Sequence, residues 1–238
     1  MKILLVLLSM LFGIIEDHEK LAIINDPDGY TNLRKEKSPD SEIISMVFSN
    51  QVFYYRPNAE ESWWKVTVYQ FIEDNIEGYM HKSRILPIDQ LSVEAKKNLI
   101  LYIFNKEITN YENYLEKQIS GREFEEFHDT QLVPILSDFF PSYICTCKDT
   151  TVVLRFFDII NLETGSADES PAWALGDIYL CEPNFTVKMI NKRYTELLLG
   201  DLEFGFLNVT FKKENEIEDF EQLKFKLDSL MNSKRNEN

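Results

Sequence analysis

The chain has 238 residues, of which 44% are hydrophobic and 13% aromatic, so it can form one or two folded domains and is not a disordered protein. Its formal net charge is -15 at pH 7. A surface this acidic repels nucleic-acid phosphate and anionic lipid headgroups, which argues against nucleic acid as a partner.

The first twenty residues have the pattern of an export leader. Lys2 precedes an apolar run from Ile3 to Ile15, and acidic residues end that run. At about 1.5 Å per residue the run spans about 20 Å, less than the ~30 Å hydrocarbon core of a membrane. This length favours a signal peptide over a membrane span; a buried helix or strand and an uncleaved anchor stay open. We therefore expect residues 1–20 to direct export to the periplasm or cell surface.

Residues 21–88 consist of short apolar and β-branched runs separated by turn residues. The run that begins at Leu21 leads into Asn25-Asp26-Pro27-Asp28-Gly29, a dense turn signal. Strands this short and closely spaced predict a small β-barrel. The expected strands are 21–24, 42–48, 51–55, 63–71 and 78–80.

Five segments follow one another in this region. Asp26–Arg34 contains a Gly-x-x-Asn-x-Arg pattern, Ser38–Ser41 is a Ser-Pro turn, and Glu42–Phe48 is an expected strand. Trp63–Val66 reads Trp-x-x-Val, and Glu77–Ile85 reads Gly-Tyr-Met-His with a closing Ile. In this order the segments resemble the bacterial SH3-like family, over little more than a quarter of the chain.

The resemblance implies that residues 21–88 form an SH3-like β-barrel whose shallow aromatic groove binds peptides, especially cell-wall peptides. By position, the ligand-binding residues would be Tyr30, Tyr54, Trp63 and Tyr79. Strand alternation sends the side chains of Trp63 and Trp64 to opposite faces, so at least one of them belongs to the core. Core packing and ligand contact both stay open for each of the four.

Residues 89–231 have helical periodicity and lie outside the SH3-like resemblance, and residues 232–238 are expected to form a polar tail. Ser92 is the predicted N-cap of the first helix, and Pro134 is expected to break a later one. Residues 151–160 fit either a helix or a buried strand. The predicted fold class is therefore a multidomain α+β protein, with a small SH3-like β-barrel followed by a mainly α-helical domain arranged as a bundle or as stacked helical hairpins.

The histidine and cysteine inventory argues against two hydrolase classes. Residues 89–238 contain one histidine, His128, and all three cysteines follow it. Papain-like peptidases have the Cys before the His, and a zinc amidase needs about three ligands. We expect His128 at the surface or at a helix cap. In an exported protein Cys145 or Cys147 can pair with Cys181; alternatively, all three are small buried apolar side chains.

The sequence thus predicts an exported, non-catalytic binding protein with no cofactor and no metal site. Its partner would be a peptide, a cell-wall component or another envelope protein, and it would contact a membrane only through an uncleaved leader. The alternative is a cell-wall hydrolase with a carboxylate site in the helical domain, although such acidic runs are typical of solvated helix faces. The candidate acids are Glu123, Glu125 and Glu126, and Glu214, Glu216 and Glu218.

Overall fold

The structure, a computed structural model, describes residues 19–162, 168–213 and 219–237. The expected leader, apart from its last two residues, and the second acidic run (214–218) lie outside the described residues. Within these ranges an antiparallel sheet precedes a series of helices, which confirms the mixed α+β class. No helix in the described part of the chain combines the length and the hydropathy needed to cross a membrane.

Seven strands form one antiparallel sheet with the order β3-β2-β6-β5-β4-β1-β7. Two of them, β2 and β7, were not among the strands predicted above. In β2 only Thr31 and Leu33 face inwards, so its alternation is too short to separate from the preceding turn signal. The strands are β1 Lys20–Ile24, β2 Tyr30–Arg34, β3 Ile43–Phe48, β4 Phe53–Arg56, β5 Trp63–Val68, β6 Ile76–His81 and β7 Ile85–Pro87.

One face of the sheet buries a core that includes Leu33, Val66 and Met80. Gly78 lies opposite Val66, in the middle of β6, where neighbouring strands pass closely. A Cβ atom at position 78 would be 2.7 Å from the carbonyl oxygen of Arg34, so only glycine fits without displacing β2. The Gly in the closing signature is therefore a packing requirement.

The helical region begins at Ser92, whose side chain accepts a hydrogen bond from the N–H of Ala95, which confirms the predicted N-cap. Residues 151–160 are helical, in a helix that Asp149 caps. The last helix continues through residues expected to form a polar tail. The helices are α1 Val93–Leu115, α2 Gly121–Phe127, α3 Val133–Asp138, α4 Phe140–Cys147, α5 Thr150–Ile160, α6 Ser170–Cys181, α7 Pro183–Lys192, α8 Glu196–Lys213 and α9 Phe220–Glu237.

A disulfide bond and a close contact between two glycines hold the helices together. Cys145 in α4 and Cys181 in α6 form a disulfide with Cα atoms 5.9 Å apart, which decides the open pairing, and Cys147 keeps a free thiol. Helices α6 and α8 pack backbone to backbone, because Gly176 and Gly205 face each other without side chains. A Cβ atom at position 176 would be 2.5 Å from the carbonyl carbon of Gly205.

Pro134 does not break the helical path, contrary to the sequence prediction. A π-helical turn, His128–Leu132, connects α2 to α3, and the N–H of Val133 donates to the carbonyl of His128. Proline has no N–H to donate to the carbonyl of Thr130, four residues earlier. The side chain of Gln131 supplies that hydrogen bond, with its Nε2 atom 2.9 Å from this oxygen. The wider turn and the glutamine together accommodate the proline.

The same glutamine joins the helices to the sheet. Its Oε1 atom accepts a hydrogen bond of 2.7 Å from the backbone N–H of Val52, which precedes β4. Around this bond, Leu21, Val52 and Ile88 of the sheet region share one hydrophobic core with the helices. Gln131 is 7% exposed and Val52 is 3% exposed, so the N–H that loses its acceptor when the amide is removed is shielded from bulk water.

We expect Gln131→Ala to lower the free energy of unfolding by about 2 kcal/mol, because the change leaves a buried N–H without an acceptor. Urea denaturation followed by circular dichroism measures this loss. Gln222→Ala, at an exposed position of α9, is the matched control and should change stability by less than about 0.5 kcal/mol. Equal stabilities of the two variants would contradict the bridging role of Gln131.

Candidate functional site

A groove of about 650 Å³ opens beside strands β2, β5 and β6, and its volume is in the usual range for ligand sites, about 300–1,000 Å³. Two of the four aromatic residues predicted from the sequence, Tyr30 and Trp63, line this groove. Tyr30 is 44% exposed, so its ring is accessible to a ligand. Charged residues of both signs surround the aromatics, among them Asp26, Arg34 and Arg84.

Asp26 organises the turn between β1 and β2. Its carboxylate accepts hydrogen bonds from the hydroxyl of Thr31 at 2.8 Å and from the N–H of Asp28 at 3.2 Å. Arg84 lies 3.0 Å away on the same carboxylate. The Thr31 hydroxyl, with smaller effects from Asp28 and Arg84, keeps the pKa of Asp26 below its ordinary value. Asp26 therefore stays ionised and fixes Arg84 at the edge of the groove.

Arg34 also meets a structural demand of the loop. Its guanidinium donates to the carbonyl of Ser41 at 2.7 Å and so satisfies a backbone group in the turn between β2 and β3. This bond holds the loop that carries Pro39, another residue of the groove wall. Arg34 is thus fixed by the fold, whereas the ring of Tyr30 remains accessible.

Trp63 pairs with His81 across β5 and β6, and their rings meet edge to face with centroids 5.6 Å apart. His81 accepts a hydrogen bond from the N–H of Ser83 through Nδ1, which positions its ring. Trp64 points to the opposite face, as strand alternation predicts, and stacks on Tyr55 of the sheet core. Of the two adjacent tryptophans, Trp63 is therefore the one available to a ligand.

Tyr79 shares the face of Trp63 and His81 but does not line the groove. The ammonium group of Lys37 lies 5.4 Å from the centre of its ring. Lys37 also forms an ion pair with Glu61. The tyrosine ring is thus covered by a cation, and a ligand would have to displace Lys37 to reach it.

Tyr54 lies at the junction with the helices, apart from the groove. Its hydroxyl donates to Asp138 at 2.5 Å, and its ring meets Tyr69 edge to face. Burial, followed by the bond to Asp138, raises the pKa of Tyr54. The structure therefore brings only Tyr30 and Trp63 of the predicted set together at the groove.

A buried charged cluster, formed by Glu107, His128 and Asp168, was missed by the sequence analysis. His128 is 6% exposed, so the expectation of a surface position is wrong, whereas the alternative of a helix cap is confirmed because His128 is the C-cap residue of α2. Its Nδ1 lies 2.7 Å from Glu107 and its Nε2 lies 3.0 Å from Asp168. Both nitrogens therefore donate, and the imidazole is positively charged between two carboxylates.

Electrostatics within this cluster are dominated by the two acids. Burial alone lowers the pKa of His128, but the hydrogen bonds and charges of Asp168 and Glu107 outweigh it and raise this pKa to about 10. Burial by itself would raise the pKa of Asp168, but the hydrogen bonds from His128 and Ser170 outweigh burial and lower this pKa below its ordinary value. A histidine that holds both protons is not a general base, so the cluster serves as an internal ion pair.

No group of three His, Cys, Asp or Glu side chains among the described residues is arranged to hold a metal ion. Glu123, one of the acids proposed for a hydrolase, accepts hydrogen bonds from Ser120 in a capping box at the start of α2. A scan of the chain against protein-family models finds no match, and a search of curated proteins finds none either. We therefore infer function from the groove and its surroundings.

Proposed function

We propose that this chain is an exported, non-catalytic binding protein, and that residues 21–88 form an SH3-like barrel that binds an extended peptide of the cell envelope. The observation that carries the proposal is the groove in which Tyr30 and Trp63 border a cavity with fixed charges at its edge. Aromatic side chains offer large contact areas at low cost in side-chain entropy, which suits peptide recognition.

The charges of the groove support a peptide over a simple anion or cation. Asp26 and Arg84 neutralise each other, while Asp28 adds a negative charge and Arg34 a positive one. A peptide carries donors and acceptors along its backbone and frequently carries charges of both signs, so it matches this mixture. The helical region, residues 89–231, would act as a scaffold or as a second binding surface.

Two further features support export. The apolar leader has the length of a signal peptide. The disulfide between Cys145 and Cys181 is typical of proteins that fold in an oxidising compartment. An exported protein meets cell-wall peptides and envelope proteins, which are the partners that the SH3-like resemblance implies.

The test is retention on purified cell-wall sacculi together with a turbidity-clearing assay on the same material. We expect the full chain to be retained without clearing the suspension. Clearing would contradict the non-catalytic role and support the carboxylate hydrolase; the absence of retention would favour another envelope protein as the partner.

Tyr30→Ala should weaken retention by about tenfold or more, because truncation of a central aromatic contact commonly costs at least ~1.4 kcal/mol of binding energy. Quantitative pull-down over a range of protein concentrations measures this change. Phe225→Ala is the control, since Phe225 is an exposed aromatic on α9, remote in sequence from the sheet, and 73% of its surface is accessible. An equal loss of retention on sacculi in both variants would show that Tyr30 has no specific part in binding.

A further inference from the structure

A second cavity, of about 450 Å³, lies between the sheet and the helices, and we call it the cleft. One wall is the turn between β3 and β4, residues 48–51. The second is the face of α1 that carries Tyr102, Lys106 and Asn110, which are spaced four residues apart and so lie on one side of the helix. The third is α2 with the π-helical turn.

Asn110 is the unusual residue of the cleft. It is 6% exposed, it lines the cleft, and its side-chain amide makes no hydrogen bond with any of the described residues. Two other asparagines do bond to the backbone: Asn208 in α8 and Asn161, directly after α5, each donate to the carbonyl four residues earlier, at 3.0 and 2.6 Å. Gln131, in the same cleft, uses both ends of its amide.

The polar atoms of the Asn110 amide are not fully enclosed, because Oε2 of Glu107 is the only fully buried polar side-chain atom among the described residues that lacks a hydrogen-bond partner. The amide is therefore accessible from the cleft. Every other buried polar side chain in the described ranges makes at least one hydrogen bond; these residues are Thr31, Thr67, Glu107, His128, Thr130, Gln131, Ser170 and Thr186. The donors and acceptor of Asn110, unused by the protein and accessible from the cleft, therefore point to a ligand that binds them.

We propose that the cleft binds a neutral ligand that carries an amide group next to an apolar group, with Asn110 as its hydrogen-bonding partner. An amide offers a donor and an acceptor side by side, which complements the donor and acceptor of the asparagine side chain. A carboxylate or phosphate only accepts, and it would meet the charges of Glu123 and Glu126, of which Lys106 offsets one, together with the net charge of -15.

The apolar part of the ligand has partners in the same cleft. Phe48 and Tyr102 line it and are 54% and 43% exposed, so both rings offer surface that the protein itself does not cover. Phe127 adds a third, half-buried ring. A site with one directional polar group among aromatic walls has the usual composition of a small-molecule pocket.

The cleft and the peptide groove are separate cavities, so this proposal stands without the proposed function. The test uses two probes of the same shape, 3-phenylpropanamide and methyl 3-phenylpropanoate, of which only the amide can donate. Titrations of the full chain, labelled with ¹⁵N in its asparagine side chains, report directly on the amide of Asn110.

We expect the amide probe to shift the Asn110 side-chain signals saturably, and to bind about tenfold or more tightly than the ester. Asn110→Leu should remove this preference while the melting temperature, Tm, stays within about 2 °C of the unchanged protein, because the amide of Asn110 makes no hydrogen bond with the described residues that would be lost. Asn98→Leu, at an exposed position of α1, is the matched control and should keep the preference for the amide.

Equal binding of amide and ester, or no shift of the Asn110 signals with either probe, would overturn the proposal. It would also be overturned if Asn110→Leu kept the preference for the amide. A fall in Tm of more than about 2 °C for this variant would assign the asparagine to the fold instead of to a ligand.

Discussion

Gly205→Ala should lower the free energy of unfolding by about 4 kcal/mol or more, a loss that few single substitutions cause. The added methyl group would overlap the carbonyl oxygen of Ala172 in α6, which is backbone and cannot rotate away. The helices would have to separate, and Phe206 and Tyr179, which pack beside the contact, would lose part of their burial. Calorimetry should show Tm lower by about 8–16 °C.

Gly200→Ala provides the control in the same helix. A Cβ atom at position 200 has nothing within 4 Å, so the change only replaces glycine by a better helix former. Its stability should rise by about 0.5–1 kcal/mol. If both variants lost stability equally, the close contact of α6 and α8 would not be the cause.

His128→Leu should lower the free energy of unfolding by about 3–5 kcal/mol at pH 6, because it leaves the buried carboxylate of Glu107 and the half-buried one of Asp168 without their cation. Glu107 should contribute more of this loss than Asp168, since its side chain is 1% exposed and its second oxygen has no partner among the described residues. Urea denaturation measures the loss. Glu42→Gln, which removes an exposed ion pair with Lys35, should cost less than about 1 kcal/mol.

The same cluster predicts a pH dependence with a definite sign. The pKa of His128 is about 10 in the folded protein and 6.5 as the ordinary value, so the folded state binds one more proton between these limits. The stabilisation by His128 is complete below about pH 6.5 and decreases as the pH rises towards 10, by up to about 1.4 kcal/mol per unit. His128→Leu should lack this decrease between pH 7 and 9; an identical slope in both proteins would contradict it.

Asp168 determines the acid side of the profile. Its pKa is lowered in the folded state, so its contribution to stability is present above its ordinary pKa of 3.8 and decreases as the pH falls through the folded value. Together the two groups place the maximum of this cluster's contribution between about pH 4 and 6.5.

Periodicity predicted most of the fold because it reports which residues are buried. The helical periodicity of residues 89–231 and the N-cap at Ser92 correctly predicted that helices follow the sheet. The prediction that Pro134 breaks the helix was wrong. Gln131 compensates for the missing N–H of the proline, and this role is visible only in the structure of the turn. The cleft walls that meet there come from distant parts of the chain and could not be paired by sequence.

The charged cluster left a signal that could have been used. Glu107 follows Ile103 and Phe104 at spacings of four and three, and His128 follows Phe124 at four, so both occupy apolar helix faces. A charged residue on such a face needs a buried partner. Which partners meet depends on contacts 21 and 40 residues apart, which only the structure provides.

Only some of the residues expected at the groove lie there, because their positions depend partly on contacts between distant parts of the chain. Strand alternation correctly separated Trp63 from Trp64, because that argument needs only the local pleat. The position of Tyr54, taken from the SH3-like resemblance, differs from the expected one because the outer face of β4 is covered by a helix that follows much later in the chain. Asp138, the residue that binds Tyr54, is 84 residues away.

The amide of Gln131 donates to the helical carbonyl that Pro134 leaves without a partner, and it accepts from the N–H of the residue before β4. When the helical turn around Pro134 opens, the N–H of Val52 loses its acceptor, and the core shared by Leu21 and Ile88 loses one of its sides. Sheet and helices should therefore melt in a single cooperative transition, and neither should survive as an independently folded fragment.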